Sequence, residues 1–99
     1  MTENEVREMV KQIISEKTAI DVQTIQDDSN FKDDLDIDSL DQIDIMMETE
    51  KKFKIRIPDE EIERIITYQD LVEFVLDKVN VYSYWFPDLA QHRYFLRLL

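Results

Sequence analysis

Residues 34–53 read DLDIDSLDQIDIMMETEKKF, and their reading decides the fold. Asp38 has the chemistry of a helix N-cap, since its carboxylate can accept from the free N–H groups of a first turn. Asp41 then sits where a negative charge complements the positive end of the helix. Leu40, Ile43, Met46 and Met47 recur at helical spacing and are expected to face inward, with Ser39, Asp41, Asp44 and Glu48 outward. The helix should close near Phe53. In residues 34–44 the only hydroxyl, Ser39, stands among Asp34, Asp36, Asp38, Asp41 and Asp44.

The flanks extend the helical pattern. Thr2 and Glu5 form a capping box, followed by Val6, Met9, Val10, Ile13 and Ile14 on one face, and the pattern stops near Lys17. A long connection to Ile37 follows, with Ile20, Val22, Ile25, Phe31 and Leu35 as buried anchors that wrap it around the body. After helix two, IRIP is a short extended link. Pro58 suits the first turn of a short third helix carrying Asp59, Glu60 and Glu61 at its positive end, with Ile62, Ile65 and Ile66 packed inward. Thr67 and Asp70 cap a last helix whose stripe is Leu71, Val72, Phe74, Val75 and Val79. No alternating strand pattern occurs. The expected fold is all-α, a four-helix bundle with a long first loop and a short third helix.

Composition narrows the function. The 99 residues suit one small domain, and 43% hydrophobic content suffices for a core. Cysteine is absent, which excludes disulfides and thiolate metal sites and agrees with an expected cytoplasmic location. The opening MTENEVREMV lacks the basic-then-apolar order of a signal peptide. No apolar run reaches the roughly 18 residues of a membrane span. A net charge of -11 disfavours nucleic acid and anionic lipid, and favours basic protein faces. Glycine is also absent, so tight turns fall to Asn, Asp or other residues held in left-handed backbone, at some cost in strain.

Three roles compete for the acidic stretch around Ser39. A calcium loop starting at Asp34 matches at Asp34, Asp36 and Asp38. It then has Ser39 in place of the turn glycine and Ile45 in place of the bidentate glutamate; no metal site is expected. As a nucleophile, Ser39 lacks a base, because the one histidine is His92, and the surrounding acids would raise its pKa. The third role is a handle that another protein modifies, with the acids as the surface that protein recognises.

The stretch LDIDSLDQIDIMMETEKKFKIRIP resembles the acyl carrier protein family, whose signature Asp-Ser-Leu falls here on Asp38, Ser39 and Leu40. The likeness continues through Asp41, Asp44, Met47, Phe53 and IPDEE, and upstream through NFKDDLDIDSL, covering about residues 2–79. It implies that Ser39 receives a 4'-phosphopantetheine arm from a phosphopantetheinyl transferase. The arm holds acyl groups as thioesters for partner enzymes of fatty-acid, polyketide or related biosynthesis. The unpaired N–H groups of a helix start favour a phosphate there, and the chain is expected to be a carrier and not an enzyme. The resemblance further implies docking of basic partner faces through Asp38, Leu40, Asp41, Asp44, Met47 and Glu48. It implies a cargo pocket of Met46, Met47, Ile57, Ile62 and Ile65. An unmodified acidic subunit of the same fold is the alternative.

The family usually has glycine where this sequence has Asp36, and often has glycine where this sequence has Lys54. Thr49 replaces an apolar residue, and Lys51 and Lys52 replace common acids. These departures point to a dedicated pathway loading an amino acid, a polyketide unit or an unusual lipid. Residues 1–80 hold 22 acids and 10 bases, net -12, whereas residues 81–99 hold one acid and two arginines, net +1, with six of the ten aromatics. The carrier domain is therefore expected to span 1–80. Residues 81–99 form an extension read as a vector-derived tail, a fifth helix able to mediate self-association, or a membrane-surface anchor.

Overall fold

The computed structural model describes residues 2–85, with side chains through Val79. Four helices follow in order: α1 (Glu3–Thr18), α2 (Ser39–Phe53), α3 (Asp59–Ile62) and α4 (Tyr68–Trp85), with a 3-10 turn at Val22–Thr24 in the long first loop. α1 packs against both α2 and α4. No strand forms among the described residues; Asn30 and Thr67 share one isolated antiparallel bridge. Among the described residues, no helix is long and apolar enough to cross a membrane.

The helix starts follow from local hydrogen bonding. The Glu5 N–H donates to Thr2 Oγ1 at 3.2 Å, and the Thr2 N–H donates to Glu5 Oε1 at 3.2 Å, closing the expected capping box. At α4 the Asp70 N–H donates to Thr67 Oγ1, and Asp70 Oδ2 accepts from the N–H groups of Ile66 and Thr67, all at 3.0–3.1 Å. The lack of glycine is met with left-handed residues at Ala19 (φ 63°), Asp36 (φ 54°) and Lys54 (φ 55°). Ala19 ends α1 and Lys54 ends α2. Asp36 and Lys54 are the two positions singled out as glycine replacements.

The core joins Val6, Val10, Ile13 and Ile14 of α1, Ile45, Met46 and Phe53 of α2, and Leu71, Val72 and Val75 of α4. Loop residues Ile25, Phe31, Leu35 and Ile37 close one end of it, and Ile55 and Ile57 of the extended link are also buried. Thr49 lies fully within this core; its hydroxyl donates to the Ile45 carbonyl at 2.7 Å, which meets the hydrogen-bonding need of a buried polar group. Two loop anchors, Ile20 and Val22, are only half-buried.

Two inward assignments are corrected. On α2 the buried residues are Ile45, Met46, Thr49 and Phe53, while Leu40, Ile43 and Met47 are 75%, 46% and 52% exposed. The helix carries apolar side chains on more than one face, and α1 takes the stripe containing Thr49. Near α3, Ile65 is buried and Ile62 partly buried, but Ile66 is 51% exposed. The Ile66 carbonyl accepts from the Phe31 N–H at 2.9 Å, which fixes the backbone and leaves the side chain outside. The expected boundary near Asn80 falls inside α4, which runs on to Trp85; the readings of residues 86–99 lie outside the described residues.

Candidate functional site

The approach to Ser39 is a loop that organises itself through two side chains. Asn30 Oδ1 accepts from the N–H groups of Lys32 and Asp33 at 2.9 Å, while Asp34 Oδ2 accepts from the Asn30 N–H at 2.7 Å. Asp34 is thereby committed to a turn, which suits the short polar side chains of Asn and Asp. The Ile37 N–H donates to the Phe31 carbonyl, and the Tyr68 N–H to the Ser29 carbonyl, so the loop is fastened to the segment entering α4. The left-handed turn at Asp36 then aims the chain into α2.

Ser39 is the first residue of α2 and is exposed. Asp38 caps the helix, its Oδ1 accepting from the Asp41 N–H at 2.8 Å, and its carbonyl accepts from the Gln42 N–H. The N–H groups of Ser39 and Leu40 have no acceptor among the described residues. A free hydroxyl thus stands beside two free donors at the positive end of a helix, an arrangement suited to a phosphate ester. The described residues contain no histidine, and His92 lies outside them. Nor do the described Asp, Glu and His side chains gather in threes to hold a metal ion.

The residues expected to dock partners divide by environment. Asp44, Leu40 and Met47 are exposed, whereas Asp41 is half-buried. The Asp38 carboxylate is occupied by its capping bond. Glu48 is also half-buried, with Oε1 3.7 Å from Lys17 Nζ of α1. Sequence reasoning treated Ile43 and Ile66 as core, and so missed two apolar groups exposed around Ser39. The signal was present, because Leu40, Ile43 and Met47 are spaced three and four apart and form a stripe of their own.

Two open depressions flank this stripe. The first is lined by Ser39 together with Phe31, Gln42, Ile43, Ile62 and Ile65. The second is lined by Ile43, Met46, Met47, Ile57, Pro58 and Ile62, together with Glu50 and Arg56. The five expected cargo residues are therefore not gathered in one place: Met46, Met47 and Ile57 line only the second depression, Ile65 lines only the first, and Ile62 borders both. Gln42 Nε2 donates to the Ile65 carbonyl at 3.2 Å, and the Ile57 N–H donates to Glu50 Oε2 at 2.9 Å, linking α2 to the chain on either side of α3.

Comparison with known proteins agrees with this geometry. Residues 8–75 match the family model described as the phosphopantetheine attachment site. An acyl carrier protein of Chloroherpeton thalassium is 45% identical over 78 residues, which is 79% of this chain and 98% of that protein. Acyl carrier proteins of Thermosynechococcus vestitus and Guillardia theta are 37% and 42% identical over 79 residues, each comparison covering 80% of this chain and 98% of the relative.

Proposed function

Because the chain belongs to the acyl carrier protein family, whose cofactor is 4'-phosphopantetheine, we propose that Ser39 is the residue to which the arm is joined. The observation that carries this reading is the exposed Ser39 hydroxyl at the first position of α2, beside two unpaired N–H groups and at the edge of an apolar depression. These groups fit a phosphodiester, and the neighbouring wall suits an arm lying along the surface. When bound, the arm supplies a thiol that holds acyl groups as thioesters. The chain's own residues position the serine, present the arm and shelter the cargo, so the protein carries and does not catalyse. A phosphopantetheinyl transferase and enzymes of fatty-acid or related biosynthesis are its partners.

Docking rests on Leu40 and Met47 as exposed apolar contacts, with Asp41 and Asp44 attracting basic faces. Glu48 contributes less, because Lys17 already neutralises it in part. Asp38 serves mainly by holding the helix start. The cargo rests against Met46, Met47, Ile57, Ile62 and Ile65. Thr49 is shut inside the core and takes no direct part in cargo choice.

Intact-mass measurement after incubation with coenzyme A and a broad-specificity transferase tests the attachment site. One phosphopantetheine is expected on the native chain and none on Ser39→Ala, which retains the fold because Ser39 is exposed. Equal modification of both chains would refute the assignment. With Asp41→Lys and Asp44→Lys, transfer should slow mainly through association, and the native rate should fall as salt rises. For residues 81–99, with 12 hydrophobic residues among 19, we infer self-association. Sedimentation of the full chain and of a chain ending at Asn80 tests this, with the shorter chain expected to be monomeric.

A further inference from the structure

One cation stands in the acidic half of the chain. Residues 18–50 hold eleven carboxylates and a single base, Lys32. The fold brings that base to the site: Lys32 lines the first depression together with Ser39, and no other lysine or arginine lines it. Backbone bonds fix the position from which it projects. The Lys32 N–H donates to Asn30 Oδ1 at 2.9 Å, and the preceding Phe31 N–H donates to the Ile66 carbonyl at 2.9 Å. The residue is exposed. Ion pairs among the described residues engage Arg7, Lys17 and Arg64. Lys32 enters none of them, although Asp33 and Glu63 line the same depression. Its charge is therefore uncommitted, beside a serine surrounded by carboxylates.

We propose that Lys32 is a positioning residue for the phosphate of the arm, pairing with it and so directing the arm along the first depression instead of away from the surface. This rests on the reading of Ser39 as the attachment point. A phosphodiester keeps its negative charge at neutral pH. Joined to Ser39, it would stand near Asp33, Asp34, Asp36, Asp38, Asp41 and Asp44, and like charges at close range repel. The two free N–H groups at the start of α2 favour the phosphate, but they do not choose the direction in which the rest of the arm leaves it. Lys32 does choose, because it stands on one side only, in the loop that walls the depression. A lysine suits this role: its ammonium is a point charge on a flexible stem and can follow whichever phosphate oxygen faces it.

The test follows the arm itself and not the transfer of cargo. The full chain is loaded with a 15N-labelled arm, and loading at Ser39 is confirmed by intact mass. The order of the arm's amide groups is then read by heteronuclear NOE, alongside the 31P shift of the diester. In the native protein the amide nearer the phosphate should be ordered, and that order should fall as salt screens the pair. Lys32→Gln should move the arm towards its free state, changing the ratio of held to free arm by about two- to fivefold, the weight of one exposed ion pair. Lys32→Glu should move it further. Lys32→Arg keeps the charge and should restore the native order. Thermal midpoints and core amide shifts should be the same in all four proteins, which separates positioning from loss of fold. Equal arm order and equal 31P shifts in the native, Lys32→Gln and Lys32→Glu proteins would overturn the role of Lys32 and leave the attachment reading standing. A loss in Lys32→Gln that Lys32→Arg does not reverse would also overturn it, since charge would not be the cause. A native chain that gains no mass at Ser39 would overturn the attachment reading and the pairing with it.

Discussion

The two long sides of the molecule are built on different terms. Where α1 meets α4, a single arginine joins three segments: Arg7 donates to Glu3 and Asp27 at 2.9 Å and to Gln69 at 2.8 Å. Its backbone carbonyl accepts from the Tyr68 hydroxyl at 2.8 Å, and the Lys11 ammonium lies 5.6 Å from the centre of the same fully buried ring. Both helices begin with reciprocal caps. On the other side α3 is four residues long, no side chain caps it, and Leu40, Ile43, Met47 and Ile66 face solvent. One side holds the fold, and the other keeps apolar surface available. A carrier that must shelter its cargo and then surrender it needs both, since the region that opens is drawn from the less stable part of a structure.

The largest expected effect tests that division by truncation. Leu71→Ala removes a fully buried side chain and should destabilise the fold by about 2–5 kcal/mol in denaturant unfolding. Met47→Ala, on the exposed stripe, should change stability by about 0.5 kcal/mol or less while slowing transfer to partners. Equal losses at both positions would erase the distinction. Hydrogen exchange maps the same division without mutation. Among the helical parts, residues 54–66 should exchange fastest, with α1 protected roughly a hundredfold more. Slow exchange there, with fast exchange in α1, would place the opening on the wrong side and remove the internal cargo site.

The firm side should also fail first in alkali. Burial pushes the Tyr68 phenol up to about 12, and the neighbouring Arg7 cation opposes this only in part. The folded protein therefore resists losing that proton more than the unfolded chain, whose tyrosine titrates near 10. The stabilisation is complete below about pH 10 and is lost as pH rises towards 12, about 2–3 kcal/mol in all. Tyr68→Phe gives up the bond to the Arg7 carbonyl, yet its stability should decline less over that interval. A variant that declines as steeply as the native chain would show that another group governs alkaline unfolding.

How legible this was depended on which side was being read. Capping is local, so Thr2 with Glu5, Asp38 before Ser39, and Thr67 with Asp70 could all be placed from spacing alone. The signature at Asp38, Ser39 and Leu40 marks a helix start, and α2 begins there. The orientation of α2 was not local. Its apolar residues cover too much of its circumference for spacing to identify the stripe that α1 takes, and Thr49 is an unlikely core residue until its hydroxyl finds the Ile45 carbonyl. The misassigned residues, Leu40, Ile43, Met47 and Ile66, are those left exposed beside Ser39. The burial rule is expected to fail beside a site such as the one proposed at Ser39.

The smallest expected effect separates strain that serves the working side from strain that belongs to the whole chain. Lys54 ends α2 at φ 55°, ψ 46° and begins the link to α3, whereas Ala19 ends α1 at φ 63°, ψ 16°, where α1 gives way to the first loop. A side chain in that conformation costs about 1–2 kcal/mol, and glycine removes the cost but returns part of it through the greater freedom of the unfolded chain. Lys54→Gly and Ala19→Gly should each stabilise the protein by about 0.5–1 kcal/mol, read as a rise in thermal midpoint. Equal gains would make the strain a consequence of building every turn without glycine. A gain at Ala19 alone, with faster exchange across residues 54–66 in Lys54→Gly, would show that the lysine steadies the link to α3. The opening of the cargo side would then be tuned from the end of α2 as well as from within α3.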